Sequence, residues 1–150
     1  MTVGQGVTQQ LAWNDRLQPT ELQVNQPFSS PLLALALYPC PGSATACSSG
    51  NNGNLQSQLI ASPGLVVTQT YSYDRLNRLR GATESGGGAN WTQGYGYDAL
   101  GNRWVSTNSG LPALTNETPQ SASWFSTTAP NRIGVSGWNY DNNGNLLQVG

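Results

Sequence analysis

The sequence has few charged residues and lacks two of the side chains most used in catalysis. Charged residues make up 9% of the 150 residues, against about 25% in typical soluble domains, and neither Lys nor His occurs. Without His the most common general base and metal ligand is missing, and without Lys Schiff-base chemistry is missing. The net charge of −1 provides no field that would attract nucleic acid or an anionic membrane. We therefore expect no enzyme activity, no cofactor and no nucleic-acid partner.

Only two cysteines are present, Cys40 and Cys47, and they lie in a segment rich in Ser, Ala and Gly. Without His or a third Cys, a zinc site would lack ligands. The pair forms either a local disulfide, as in a secreted protein, or two free thiols. The sequence leaves both states open.

The chain also lacks targeting and membrane segments. Residues 1–6 include neither a basic nor an apolar stretch, so no signal peptide is visible. The longest apolar run, Leu32–Tyr38, is far too short to span a bilayer, and we expect no membrane insertion. We expect the chain to be an internal piece of a longer protein whose true start is missing.

One pattern recurs along the chain: alternating tyrosines, then Asp, and three residues later Asn or Gly. The two strongest copies span Gln69–Leu79 and Gln93–Trp104, and Asp74 and Asp98 lie 24 residues apart. Side chains alternate along a strand, so the tyrosines of one copy share a face. Asp accepts hydrogen bonds from the backbone N–H groups ahead of it, and Asn or Gly tolerates a left-handed backbone. Each copy therefore predicts a hairpin whose turn opens at the Asp.

The same pattern of aromatic residue, Asp and Asn or Gly occurs once more in complete form and three times in weaker forms. A third full copy spans Trp138–Leu146. In Phe125–Ile133 the residue Thr128 replaces the Asp, Ser49–Leu55 keeps only the turn half, and Trp13–Leu17 is a shortened version. The spacing varies, which indicates consecutive hairpins with unequal loops rather than a solenoid of fixed period. The predicted turn motif comprises Tyr73, Asp74, Asn77, Tyr97, Asp98, Gly101, Asn102, Tyr140, Asp141, Gly144 and Asn145.

This pattern resembles the YD repeat of Rhs proteins, teneurins and the shell subunits of insecticidal toxin complexes. The resemblance covers residues 8–150 and is strongest over 69–104 and 137–148. It implies an all-β fold: an antiparallel sheet of consecutive YD-type hairpins that forms part of a larger shell or spiral. The implied partners are proteins, namely flanking repeats of the same polypeptide and an enclosed toxin or a surface partner. The implied location is secreted or at the cell surface.

The resemblance also limits what can be carried over. The Rhs core segment that follows the repeats, with its self-cleavage site, is absent from this sequence, and so is a variable C-terminal toxin. No catalytic residue is therefore transferred to this chain. The function implied is that of a structural scaffold that encloses or presents other polypeptide.

The sequence predicts one domain over residues 1–150, with a disordered end at 1–10 and long loops at 39–50 and 106–122. Asn52-Gly53 and Asn143-Gly144 are typical of tight hairpin turns. Leucines alternate with small residues in Leu32–Tyr38, which favours a strand over a helix. The predicted strands are a hairpin over residues 11–24, then Leu32–Tyr38, Leu55–Ala61, Leu65–Tyr73, Leu79–Glu84, Trp91–Tyr97, Ile133–Val135, Gly137–Tyr140 and Leu146–Val149.

Three sets of residues have a functional interpretation beside the structural one. Asp74, Asp98 and Asp141 could act as paired carboxylates of a glycosidase, but their equivalent places in repeated turns favour a structural role. The arginines after the turns, Arg78, Arg103 and Arg132, are predicted to pair with an Asp of a neighbouring repeat. The alternative function is a carbohydrate-binding surface, in which rings on the strands stack on sugars; its candidates are Trp91, Tyr95, Tyr97, Trp138 and Tyr140.

Overall fold

The computed structural model describes residues 2–3, 6–27, 31–88, 90–129 and 131–149, with only the backbone of residues 2–3. It consists of two compact units, residues 1–90 and 91–150. Regular structure in the described residues is almost entirely β, and the one helical turn is a 3-10 turn at Ala122–Trp124. No described helix is long and apolar enough to cross a membrane.

The first unit is a sheet of seven strands in which each strand pairs with the next one along the chain. All six pairings are antiparallel, so the sheet is a series of consecutive hairpins. This confirms the predicted all-β antiparallel fold. The strands are β1 (Thr2–Val3), β2 (Val7–Trp13), β3 (Pro19–Asn25), β4 (Leu33–Tyr38), β5 (Ser57–Ser62), β6 (Leu65–Tyr73) and β7 (Leu79–Gly86).

A row of aliphatic side chains fixes the register of this sheet. Residues that face one another across β2 to β6 are Leu11, Leu22, Leu35, Ile60 and Val67. A slip of one residue in any strand would move its aliphatic side chain to the other face of the sheet. That other face carries mostly small and polar side chains. Val67, at the end of the row, is only 5% exposed.

The second unit contains four strands and irregular connections. Strands β8 (Trp91–Tyr97) and β9 (Arg103–Ser109) form one hairpin, and β10 (Asn139–Tyr140) and β11 (Leu146–Gln148) form a short second one. The chain after β9 folds back along that strand, where the N–H of Val105 donates to the carbonyl of Pro119 at 2.8 Å. Among the described residues of this unit, Val105 is the single buried apolar residue.

A tryptophan covers a glycine in the first of these hairpins. Gly96 lies opposite Trp104, and a Cβ atom at Gly96 would lie 2.2 Å from the indole Cε2. The Trp104 ring also approaches the Phe125 ring, with 6.4 Å between centroids. At Gly96 the hairpin therefore covers its own strand with the Trp104 ring.

Several predicted boundaries agree with the structure. β6 and β8 coincide with the predicted strands Leu65–Tyr73 and Trp91–Tyr97, and β4 confirms the strand assigned to Leu32–Tyr38. The hairpin predicted over residues 11–24 is β2 with β3. β7 extends two residues beyond its predicted end at Glu84.

Other predictions are wrong in part. Val7–Gln10 belong to β2 rather than to a disordered end, because Val7 pairs with Val3 of β1 and residues 8–10 pair with β3. Met1, Gly4 and Gln5 lie outside the described residues. β9 continues to Ser109, so the irregular connection predicted over 106–122 begins at Gly110.

The regions around the other predicted turns also differ. β5 begins at Ser57, so the loop after β4 spans residues 39–56, and Asn52-Gly53 lies inside this long loop rather than forming a tight two-residue hairpin turn. Ile133 makes only an isolated bridge with Phe125, and the predicted strand Ile133–Val135 does not form. Ile133 donates its N–H to the Tyr140 hydroxyl at 3.0 Å and Gly134 donates to the Trp124 carbonyl at 2.6 Å, so this segment does not form the regular ladder of a strand.

Candidate functional site

Four hairpin turns share one hydrogen-bond scheme, and each opens at an Asp or Asn. In the β8–β9 turn, Oδ1 of Asp98 accepts the N–H groups of Leu100 and Asn102, both at 2.9 Å. The N–H of Gly101 donates to the Asp98 carbonyl at 3.2 Å. The same three bonds recur in the turns that open at Asn14, Asp74 and Asp141.

The residue three positions after each opening Asp or Asn has a left-handed backbone. The values of φ are 58° at Leu17, 60° at Asn77, 89° at Gly101 and 90° at Gly144. Glycine and asparagine adopt this conformation at little cost, whereas a branched aliphatic side chain is strained there. Leu17 is therefore the exception among the four turns. Its side chain is 81% exposed, so burial does not offset the strain.

The residue four positions after the opening Asp completes the turn with its side chain. Oδ2 of the aspartate accepts Nε of Arg78 at 2.6 Å, Nδ2 of Asn102 at 2.7 Å or Nδ2 of Asn145 at 2.8 Å. In the first turn the direction is reversed, because Nδ2 of Asn14 donates to Oε1 of Gln18 at 2.9 Å.

These hydrogen bonds lower the pKa of all three aspartates, because each bond stabilises the charged carboxylate. For Asp74 the largest cause is the backbone N–H of Arg78. For Asp98 and Asp141 the largest cause is the side-chain amide of Asn102 and of Asn145, respectively. The carboxylates are held as acceptors within their own turns, an arrangement that supports turn geometry rather than acid catalysis.

Two of the weaker sequence copies form turns that differ from the predicted ones, one in its length and the other in its opening residue. The copy at Trp13–Leu17 is a complete turn that opens at Asn14, not a shortened one. In the copy at Phe125–Ile133 the opening residue is Ser126, not Thr128: its Oγ accepts the N–H of Ala129 at 2.9 Å, and its own N–H donates to the Arg132 carbonyl at 2.8 Å.

A Gln–Tyr pair precedes two of the turns, and sequence reasoning assigned it no role. The Tyr71 hydroxyl donates to Oε1 of Gln69, and the Tyr95 hydroxyl donates to Oε1 of Gln93, both at 2.5 Å. Each Gln reaches the adjacent strand: Nε2 of Gln69 donates to Glu84 at 2.6 Å, and that of Gln93 donates to Asn108 at 3.0 Å. The recurrence of Gln two residues before Tyr was the signal that could have identified these ladders.

The three arginines that follow the turns bind partners within their own unit. Arg78 forms an ion pair with Asp74 of its own turn. The guanidinium of Arg103 lies 5.1 Å from the centre of the Tyr95 ring, and that of Arg132 lies 5.4 Å from the Tyr140 ring. These observed partners differ from the predicted Asp of a neighbouring repeat.

The five aromatic candidates for sugar stacking are all half-buried. The Tyr95 and Tyr140 rings each have an arginine over one face. The Tyr140 hydroxyl also accepts the N–H of Ile133 at 3.0 Å, and the indole N–H of Trp138 is buried and has no hydrogen-bond partner among the described residues. These contacts are typical of aromatic rings that pack a hairpin rather than of an open stacking platform.

The loop of residues 39–56, which we call the loop clasp, contains a disulfide between Cys40 and Cys47. Strands β4 and β5 pair directly at Tyr38 and Ser57, so the loop clasp leaves the sheet and returns to the same point. It contacts the turn that opens at Asn14, whose Nδ2 donates to the carbonyl of Thr45 at 3.0 Å.

Asparagine side chains extend these contacts to two different turns. Asn51 and Gln18 exchange amide hydrogen bonds of 2.7 and 3.1 Å, and Nη1 of Arg16 donates to the Asn51 carbonyl at 2.9 Å. Asn52 and Asn54 both donate to Oδ1 of Asn77, at 2.8 and 3.1 Å. The loop clasp therefore joins the β2–β3 turn to the β6–β7 turn at one end of the first unit.

Comparison with protein-family models, with curated proteins and with solved structures gives no match. The resemblance to YD repeats therefore stays a prediction based on the sequence motif. Within the described residues, no group of three or more His, Cys, Asp or Glu side chains is placed to bind a metal ion.

Proposed function

We propose that this chain is a structural segment of a YD-repeat shell or spiral, in which consecutive hairpins form a wall that encloses or presents another polypeptide. One observation carries the proposal: four hairpin turns, at Asn14, Asp74, Asp98 and Asp141, use the same set of hydrogen bonds. A group repeated four times for turn geometry serves architecture, whereas an active site needs its residues once.

The exposure of apolar side chains supports a wall that continues beyond this chain. Leu11, Trp13 and Val66 lie on strands of the first unit, yet 51%, 57% and 57% of their respective surfaces are exposed. Repeat proteins bury such surface by stacking each unit on its neighbours. The proposed partners are therefore flanking repeats of the same polypeptide, together with the polypeptide that the wall encloses or a partner at the cell surface.

The disulfide supports a secreted or cell-surface location. Disulfides persist in oxidising compartments and are rare where thiol reductants dominate. The Cys40–Cys47 bond closes a local ring in the loop clasp and is consistent with export of the whole wall.

The test compares the chain alone with the polypeptide encoded by its entire reading frame. The chain alone should unfold at a lower denaturant concentration and associate as its concentration rises, because flanking repeats no longer cover its apolar side chains. The longer polypeptide should be monomeric and more stable. A reading frame that encodes only these 150 residues, together with sharp unfolding of a stable monomer, would contradict the proposal.

A further inference from the structure

We propose that Cys47 is a site of thiol–disulfide exchange, and that the Cys40–Cys47 bond controls how firmly the loop clasp holds the β2–β3 turn. The substrate class is a small thiol such as glutathione. The inference is independent of the proposed function, since it rests only on the surroundings of the disulfide and on the contacts of the loop clasp.

The two sulfur atoms differ in access. Cys40 is fully buried, and its N–H donates to the carbonyl of Ala44 at 3.2 Å. Cys47 is only half-buried and borders a cavity of about 130 Å³. An attacking thiolate must reach one sulfur of the bond along an open path, so access decides which sulfur it attacks. The structure assigns that role to Cys47.

The walls of the cavity are polar but do not favour one sign of charge. They comprise Asn14, Asp15, Arg16, Ala46 and Asn51 beside Cys47. The positive side chain of Arg16 and the negative side chain of Asp15 act in opposite directions on an incoming thiolate. The preference for Cys47 therefore comes from its exposure and not from electrostatic attraction.

The reaction proceeds in two balanced steps. The thiolate of the first glutathione attacks Sγ of Cys47, a mixed disulfide forms there, and the bond to Cys40 breaks. Cys40 leaves as a thiolate and takes up a proton from water. A second glutathione thiolate then attacks the glutathione sulfur of the mixed disulfide, which releases the thiolate of Cys47 and oxidised glutathione. Two electrons pass from the two thiols to the protein disulfide.

Opening the bond removes a constraint from the contacts with the first turn. The Thr45 carbonyl, which accepts Nδ2 of Asn14, lies inside the ring that the disulfide closes. Asn51, which binds Arg16 and Gln18, lies four residues beyond Cys47. Without the disulfide these polar contacts must order a longer free loop, which costs more conformational entropy.

The first experiment maps the mixed disulfide on the unmodified chain. The oxidised protein is treated with excess glutathione, quenched with acid at short times, and analysed by peptide mass spectrometry. We expect the glutathione adduct on Cys47 and a free thiol at Cys40. An adduct mainly on Cys40, or no adduct under conditions in which the urea-unfolded chain reacts, would overturn the assignment.

The second experiment measures how strongly the loop clasp protects the β2–β3 turn from proteolysis. Trypsin cleaves after Arg; Arg16 lies in the β2–β3 turn and donates to the Asn51 carbonyl of the loop clasp, while Arg103 lies in the second unit. Cleavage after Arg16 should be about tenfold faster in the variant Cys40→Ser/Cys47→Ser than in the oxidised protein, because local opening becomes easier. Cleavage after Arg103 should not change and serves as the internal control.

A matched variant separates the two parts of the proposal. Asn51→Ala removes contacts of the loop clasp but leaves the disulfide, so it should speed cleavage after Arg16 and still form the adduct at Cys47. Unchanged cleavage after Arg16 in Cys40→Ser/Cys47→Ser would refute the control of the turn by the disulfide, and faster cleavage in Asn51→Ala would then show that the assay detects a weakened contact. Equal acceleration at Arg16 and Arg103 would indicate global unfolding and would refute it as well.

Discussion

Replacing Gly96 by Ala should destabilise the second unit, although alanine is normally better than glycine in a strand. The added Cβ would lie 2.2 Å from Cε2 and 2.4 Å from Nε1 of the Trp104 indole. The ring cannot stay in place, and its displacement disturbs the packing against Phe125. The change in backbone entropy runs in the opposite direction, since Gly loses more conformational freedom on folding than Ala.

The magnitude follows from the difference between these effects. Overpacking lowers the free energy of unfolding by about 1–3 kcal/mol. Gly→Ala raises it by roughly 0.5–1 kcal/mol where the backbone accepts alanine, because the unfolded chain loses entropy. We therefore expect a net loss of about 1–2 kcal/mol in the free energy of unfolding. For a chain of this size that loss corresponds to a fall in Tm of roughly 2–8 °C.

The matched control is Gly94→Ala in the same strand. A Cβ atom at Gly94 would have its nearest neighbours, the side chains of Ser106 and Thr107, at 3.1 to 3.3 Å, and these need to move only slightly. The free energy of unfolding should then change by less than about 0.5 kcal/mol. Neither glycine has a positive φ, so backbone strain does not complicate the comparison.

The assay is thermal unfolding followed by tryptophan fluorescence. Four of the five tryptophans lie in residues 91–150, so the signal reports mainly on the second unit. A double-mutant cycle with Trp104→Ala completes the test, since Gly96→Ala should no longer destabilise once the indole is absent. Equal effects of the two glycine variants, or the same loss with and without Trp104, would refute the steric reasoning.

Four further predictions concern the turns, and each is checked by chemical denaturation. Gly101→Val should lose about 1–3 kcal/mol because its φ is positive. Asp98→Asn should lose less, because an amide oxygen can still accept the turn N–H groups although the charge is removed; equal losses would contradict the turn assignment. Asp74→Asn should lose more stability than Asp98→Asn. The NH₂ group introduced at position 74 would face the guanidinium of Arg78, which can only donate, whereas at position 98 the amide of Asn102 can rotate and accept. A larger loss for Asp98→Asn would contradict this reasoning. Leu17→Gly should stabilise the chain by roughly 0.5–1 kcal/mol by relieving left-handed strain, and a loss of stability would show that the leucine side chain packs usefully. Because the pKa values of Asp74, Asp98 and Asp141 are lowered on folding, their stabilisation should be complete above the ordinary carboxyl pKa and should disappear as the pH falls through the lowered values; constant stability across that interval would contradict the hydrogen-bond scheme.

Local sequence determined the turns and the strands that flank them. The bonds of the Asp98 turn join residues no more than four apart, so the residue types at Asp98, Gly101 and Asn102 contain the information needed to predict it. Strands Leu65–Tyr73 and Trp91–Tyr97 were predicted to the residue for a similar reason, because period-two alternation and a following turn mark both ends.

The turn at Asn14 departs from the motif that the other three turns share. The turn at Asn14 uses an amide in place of the carboxylate and places a leucine in a left-handed conformation. The pattern of Asp followed by Asn or Gly therefore predicted a shortened turn where a complete one forms. The sequence cannot exclude this turn, because Asn and Asp offer the same acceptor oxygen. Only the paired strands on either side fix the conformation of Leu17.

Contacts between distant parts of the chain were decided by the tertiary structure alone. Trp104 covers Gly96 because the register of β8 and β9 places them opposite each other, and a bulge between Gly94 and Tyr95 sets that register. The loop clasp reaches Asn77 only because β4 to β7 lie side by side, which brings residues 23 and 25 positions apart into hydrogen-bond distance. Such contacts depend on which strands are neighbours. In the loop clasp, moreover, the residues at both ends are asparagines, which carry no periodic signal.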